Sequence, residues 1–297
     1  MAVKFLRPLF LFAFFASSFS ALAGQFVILK SNDLNIYKST IQAFKEDMVG
    51  HQVVEIDLAG KKSSAEMAVE DLDKNPPTAV FALGTLAAKT FLALKNKDIP
   101  CLYTFVLRID EIQKDFSGRK IRGISIEVPA KTLEQQVRMI LPSVKTIKSF
   151  ASSSSTMGNV ADKDTVTVNS GKEMIKKLED SKAQGEAAYW LHPDPALMAN
   201  VDFKSVAEAS RKSRVPLIVF SEAFVRAGGF ISVSLNYETL GHQAAAILSA
   251  ALETNDWSQQ LDTPIGTSLV VNKNLAKEFG YQISDRIYRL MVDVVVD

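Results

Sequence analysis

Cysteine is almost missing: the chain of 297 residues has one, Cys101. A single thiol excludes an internal disulfide framework and a CxxC redox pair, and leaves too few sulfurs for a cysteine-based zinc site. Cys101 stands in the apolar run CLYTFVL, where a small buried hydrophobe is the expected role. Histidine is also scarce. His51, His192 and His242 are far apart in sequence, so a histidine-rich metal site is not expected. Neither sign of charge dominates, with 34 basic and 33 acidic side chains giving a formal +1. That balance carries no electrostatic footprint for nucleic acid. GxGxxG and GxxxxGK[ST] are absent, and Gly60-Lys61 and Gly171-Lys172 lack the flanking residues a phosphate loop needs. HExxH and the GxSxG elbow are absent too. A serine triad assembled from distant loops stays open, because triads are set by geometry. The expectation is nevertheless a protein that is not an enzyme and carries no cofactor or metal.

Long apolar runs occur once, near the N-terminus. Lys4 and Arg7 precede residues 9–16 (LFLFAFFA), and small residues lead to Ala21-Leu22-Ala23. This is the pattern of a secretory leader with an A-x-A cleavage site. The run is far short of the roughly 20 residues that span a bilayer. Residues 1–23 are expected to be removed after Ala23, and the mature chain to be exported, into the periplasm of a cell with two membranes. No cysteine follows the run, so lipid modification is not indicated.

What remains is globular in composition, 47% hydrophobic and 23% charged, and long enough for two domains. Apolar strands are expected at 26–29, 53–58, 79–83, 101–107 and 121–126, with helical periodicity between them. Short apolar strands alternating with helices imply a parallel sheet covered on both faces. The pattern restarts with a helix opening at Pro129 and strands at 147–151, 165–168, 187–191 and 215–220. Serines 152–155 read as a flexible loop. After Gly228-Gly229 come a strand at 231–235 and an amphipathic helix from Tyr237, in which Gly241 suggests close approach to another backbone. A short strand at 269–271 and a helix from Asn274 follow, and the final run 291–296 is strand-like without an obvious place.

In open parallel sheets, ligands bind at the carboxyl ends of strands. The loops there hold Ser31, Asn32 and Asp33 after the first strand, Gly84 and Thr85 after the third, and Arg108 after the fourth. In the second half they hold Asp194, in His192-Pro193-Asp194, and Ser221 with Glu222. Gly84-Thr85 opens a helix, whose N-terminus favours an anion such as a carboxylate, and the Arg108 guanidinium suits the same group. Each residue also fits an ordinary cap or solvated loop position. Together, two αβ halves facing each other across such loops form a ligand clamp.

Four stretches carry a family resemblance: FALGTLAAKTF (81–91), RGISIEVPAKTLEQQVRMILPSVKTI (122–147), SRVPLIVFSEAFVRAGGFISVSLNYETLGHQAAAIL (213–248) and TSLVVNKNLAKEFGYQI (267–283). Their order and spacing resemble the substrate-binding proteins of ABC transporters, in the type I group that includes tryptophan and tyrosine binders. The resemblance implies an α/β fold of two Rossmann-like lobes joined by a three-stranded hinge. The first lobe would take 24–127 plus about 229–256, the second 128–228 plus about 265–297. The strand and helix after Gly229 would thus return to the first lobe. By motif position, Gly84, Thr85, Asp194, Ser221 and Glu222 match ligand loops. Two departures stand out. Only about a dozen residues separate Ala151 from Thr165, so the second lobe is shortened by a helix, and Arg108-Ile109-Asp110 replaces the usual polar residue and proline. The resemblance implies a monomeric, exported solute-binding component of an ABC importer. It would capture a small amino-acid-like or aromatic ligand and dock on a membrane permease. The alternatives are a ligand-sensing adaptor for a membrane receptor and an exported hydrolase acting through Ser221.

Overall fold

A computed structural model describes residues 24–107, 109–153, 164–181, 187–199 and 201–296. The expected leader, residues 1–23, lies outside the described residues, and so does Arg108. The chain opens with β1 (Gln25–Lys30), α1 (Asn35–Asp47), β2 (Gln52–Asp57), α2 (Lys62–Lys74), β3 (Ala79–Leu83), α3 (Thr85–Leu92), β4 (Cys101–Thr104), the short α4 (Asp110–Gln113) and β5 (Ile121–Ile124). It continues through α5 (Ala130–Ile140), β6 (Thr146–Ala151), β7 (Thr165–Thr167), α6 (Gly171–Asp180), β8 (Ala187–Leu191), α7 (Pro195–Met198), α8 (Phe203–Ser213), β9 (Leu217–Val219), α9 (Glu222–Arg226) and β10 (Ile231–Leu235). It ends with α10 (Tyr237–Thr254), β11 (Leu261–Asp262), β12 (Thr267–Asn272), α11 (Lys273–Phe279), α12 (Asp285–Met291) and β13 (Val294–Val296).

Two sheets organise these elements. The first has the order β11-β5-β4-β3-β1-β2, with every neighbouring pair parallel. Alternate residues of its strands feed two cores, as the two-residue period of a strand requires. Val27, Leu29, Val80 and Ala82 pack beneath α2 and α3. Phe26, Ile28, Phe81 and Leu83 pack beneath α1 and α10. The apolar runs read as strands for this reason: both faces are buried.

The second sheet has the order β13-β12-β10-β9-β8-β6-β7, parallel except where β10 meets β12. This corrects one expectation. The strand after Gly229 stays in the second lobe, because β10 pairs with β9 at Ile231 and Ser232 and with β12 along its whole length. The return to the first lobe begins with α10 and continues to β11, on the edge beside β5. The final run also finds its place, as β13 on the edge beside β12. The helix expected to be missing falls on residues 154–163, outside the described residues. Of the serine run, Ser152 and Ser153 are tied down, by Asp194 and Asn169.

Three crossings join the lobes, at 125–129, at Asn236 and at 263–266. They lie side by side: Ser125 N donates to Asp262 O (2.9 Å) and Asn236 N to Gly266 O (3.2 Å). The helix of the middle crossing is seated by a glycine. A Cβ at Gly241 would stand 2.3 Å from the Thr40 carbonyl oxygen, so α10 approaches α1 at a distance only glycine permits. Thr40 Oγ1 donates to the Tyr237 carbonyl (2.8 Å) across the same contact.

Candidate ligand-binding site

A cavity of about 560 Å³ lies between the lobes, floored by the crossing segments. Its walls are mostly apolar, with aromatic rings from both sides. Phe105 and Tyr237 come from the first lobe, Trp190 and Phe220 from the second. Each ring is placed by the end of a strand or the start of a helix. Phe105 follows β4 directly and adopts φ +59°, which ends the strand three residues before the apolar run stops. Its ring lies 4.8 Å from that of Tyr37 and 5.8 Å from that of Tyr237. Tyr237 is the first residue of α10, whose N-terminus is capped by the Asn236 side chain accepting from Thr239 N (2.9 Å). Trp190 sits near the end of β8, paired with Ser149 and Ile218.

The polar groups of the cavity are few. His192 follows β8 with its ring centroid 3.6 Å from that of Trp190. It is 4% exposed, and its Nε2 has no hydrogen-bond partner. Burial pushes its pKa down to about 4, against the opposing charge of Asp194, so the imidazole is neutral at neutral pH. Glu127, half-buried in the first crossing, has its carboxyl pKa raised by burial. Its backbone N–H donates to Ser125 Oγ (3.1 Å). Tyr237 is likewise raised by burial.

The described residues expected from the strand-end loops sit beside this cavity instead of lining it. Ser31 Oγ accepts from Ala87 N (2.9 Å) and so occupies the N-terminus of α3 that was expected to meet an anion. Gly84, at φ +92°, leaves room for this: a Cβ there would lie 2.6 Å from Ser31 Oγ and 2.7 Å from the Tyr37 hydroxyl. Thr85 opens α3, half-buried. Asn32 is half-buried, and Asp33 is exposed beside Lys30 (3.4 Å). Asp194 is 3% exposed and structural in its contacts. It accepts from Ser152 N (3.0 Å), Ser152 Oγ (2.6 Å) and Leu197 N (3.2 Å), joining β6 to the start of α7. Glu222 pairs with Arg226 along α9 (2.6 Å), and Ser221 starts the same helix without accepting a capping bond. In three loops the neighbouring residue lines the cavity: Leu107 beside Arg108, His192 close to Asp194, and Phe220 beside Ser221. The lining residues that the sequence did not single out are Phe105, Trp190 and Phe220 at strand ends, Tyr237 at the start of α10, and Glu127. Of these only Phe220 stands at the last apolar position before its loop.

A second concavity, about 580 Å³, lies on the outer face of the first lobe between α3 and α4. In its charged walls Lys89 pairs with Glu111 (3.2 Å), and Arg119 donates to the Leu92 carbonyl (2.7 Å) at the end of α3. The interlobe cavity is the better ligand site, since it combines apolar walls with convergent polar groups. Among the described residues no cluster of three or more His, Cys, Asp or Glu is arranged to hold a metal. No described helix is long and apolar enough to cross a membrane.

The family model for ABC transporter substrate binding proteins matches residues 26–295. The chain belongs to that family. The ligand-free, open structure of CD0873, a substrate-binding protein with adhesive properties from Clostridium difficile, superposes with a TM-score of 0.72. It is 14% identical and covers 92% of this chain and 99% of its own. An ABC domain in complex with L-Trp from Streptococcus pneumonia gives 0.54, with 19% identity and coverage of 91% and 100%. A conserved domain protein from Vibrio cholerae gives 0.55, with 16% identity and coverage of 92% and 99%. These likenesses establish the type I periplasmic-binding-protein fold. Among curated proteins, none matches the chain. The substrate-binding protein thus carries a cleft between its lobes, in which buried His192 Nε2 has no hydrogen-bond partner among the described residues.

Proposed function

We propose that this protein is the exported solute-binding component of an ABC import system. It captures a small aromatic or amino-acid-like ligand between its lobes and presents the closed form to a membrane permease. The observation that carries this reading is the interlobe cavity itself, where aromatic rings from both lobes face one space across three parallel crossings. Such crossings are the segments a hinge closure would bend. Affinity then comes from desolvating the ligand's flat face between rings, with few polar anchors to orient it. The Ala21-Leu22-Ala23 leader signature supports export.

The experiment is a thermal-shift screen against amino acids and aromatic metabolites. A ligand that binds only the folded state adds about 2.7 kcal/mol at a concentration 100 times its Kd, which raises Tm by several degrees. The expected outcome is a shift with at least one aromatic compound, abolished in Trp190→Ala. No shift across the panel contradicts the reading. Loss of uptake of that compound on deletion of the gene would assign import over sensing.

A further inference from the structure

The charge character of the cavity goes beyond its aromatic walls. Among the described residues the lining holds one charged side chain, Glu127. Its carboxyl is half-buried and its titration raised by burial, and among the described residues no ion pair reaches it. Around it lie the rings of Phe105, Tyr237, Trp190 and Phe220, and the imidazole of His192, kept uncharged by burial. A partly desolvated carboxylate with no counter-ion among the described residues favours the arrival of a cation. Aromatic faces add to this, because ring quadrupoles attract ammonium groups within about 6 Å. A carboxylate ligand would be repelled by Glu127, against which stand the N-termini of α5 at Ala130 and of α10 at Tyr237.

Resting on the reading of the cleft as the ligand site, we propose that the cavity selects an organic cation, an ammonium or quaternary ammonium group carried on a flat apolar body. Glu127 neutralises the charge and the four aromatic side chains enclose it. The cavity volume of about 560 Å³ admits a ligand with a single aromatic ring and a short amine arm. No covalent step is involved. Selection is a difference in affinity, in which the carboxylate attracts the cation and repels the anion.

The test is isothermal titration calorimetry with a matched phenyl series: phenethylamine and benzyltrimethylammonium as cations, 2-phenylethanol as neutral, L-phenylalanine as zwitterion and phenylacetate as anion. The expected result is a cation bound at least tenfold more tightly than the zwitterion and the anion. Glu127→Gln keeps the shape of the side chain and is expected to bring cation and neutral affinities within threefold of each other. The wild-type ranking stands as a readout even if that variant folds poorly. Tighter binding of L-phenylalanine or phenylacetate overturns the charge selection while leaving the cleft as a ligand site. Binding by none of the five overturns the proposal as well, and the broader thermal-shift panel then decides separately whether the cleft binds a ligand of another kind.

Discussion

His192 and Glu127 both line the cavity, and burial shifts the titration of each against its charged form. His192 has a folded pKa of about 4 against an ordinary 6.5, so the unfolded chain takes up a proton more readily. Its contribution to stability is complete above pH 6.5 and is lost as pH falls from 6.5 toward 4, a difference of about 3 kcal/mol. Urea unfolding measured across that window should show wild-type stability falling more steeply than that of His192→Gln. Exposed His242, raised by its hydrogen bond to Asp47 (2.9 Å), shifts the opposite way and is common to both proteins, so their difference isolates His192. Equal slopes would contradict the burial of a neutral imidazole. At this scale the sequence was legible to within a residue or two. Asp194 and Ser221 were expected as anchors, whereas His192 and Phe220 line the cavity. The reason is physical. Loop polars such as Asp194 and Ser31 turn back to satisfy nearby backbone N–H groups, which sequence pattern cannot distinguish from reaching a ligand.

At the scale of elements, α10 matters most, because its first residue is a wall of the cavity and its first turn and a half rests on α1. Gly241→Ala places a carbon 2.3 Å from the Thr40 oxygen and 3.0 Å from Phe44 N, atoms of a helix backbone that yield only if the two helices part. The expected cost is about 1–3 kcal/mol, read as a fall in Tm, with weaker ligand binding because Tyr237 moves with the helix. An unchanged Tm would mean that the close approach is not real. Asn236→Ala removes the cap of the same helix and should cost about 1 kcal/mol, measurable by chemical denaturation. A loss near zero would show that the cap is replaced by water. The glycine contact could be anticipated from Gly241 inside an apolar helix. The sheet membership of β10 could not. An apolar strand reads the same beside either sheet, and its partners β9 and β12 are chosen by long-range pairing. The four-residue helix α4 was also invisible, being too short to show a period.

On the scale of the whole molecule, the two-lobed architecture was legible because parallel strands buried on both faces appear as continuous apolar runs separated by helical patterns. The shape of the space between the lobes was not, since it depends on how three crossings align two separate sheets. Occupancy of that space has a built-in reporter. The chain has 2 tryptophans. Trp190 lines the cavity, whereas Trp257 packs half-buried against the core of the first lobe. Replacing Trp257 by phenylalanine leaves Trp190 alone to report. The decisive measurement is a fluorescence titration of Trp257→Phe with whichever non-fluorescent compound gives the largest thermal shift. A saturable change in Trp190 emission at one ligand per protein, with the affinity seen by calorimetry, is expected. Stabilisation and calorimetric binding without any change at Trp190 would mean that the ligand sits elsewhere and that the interlobe cleft is not the site.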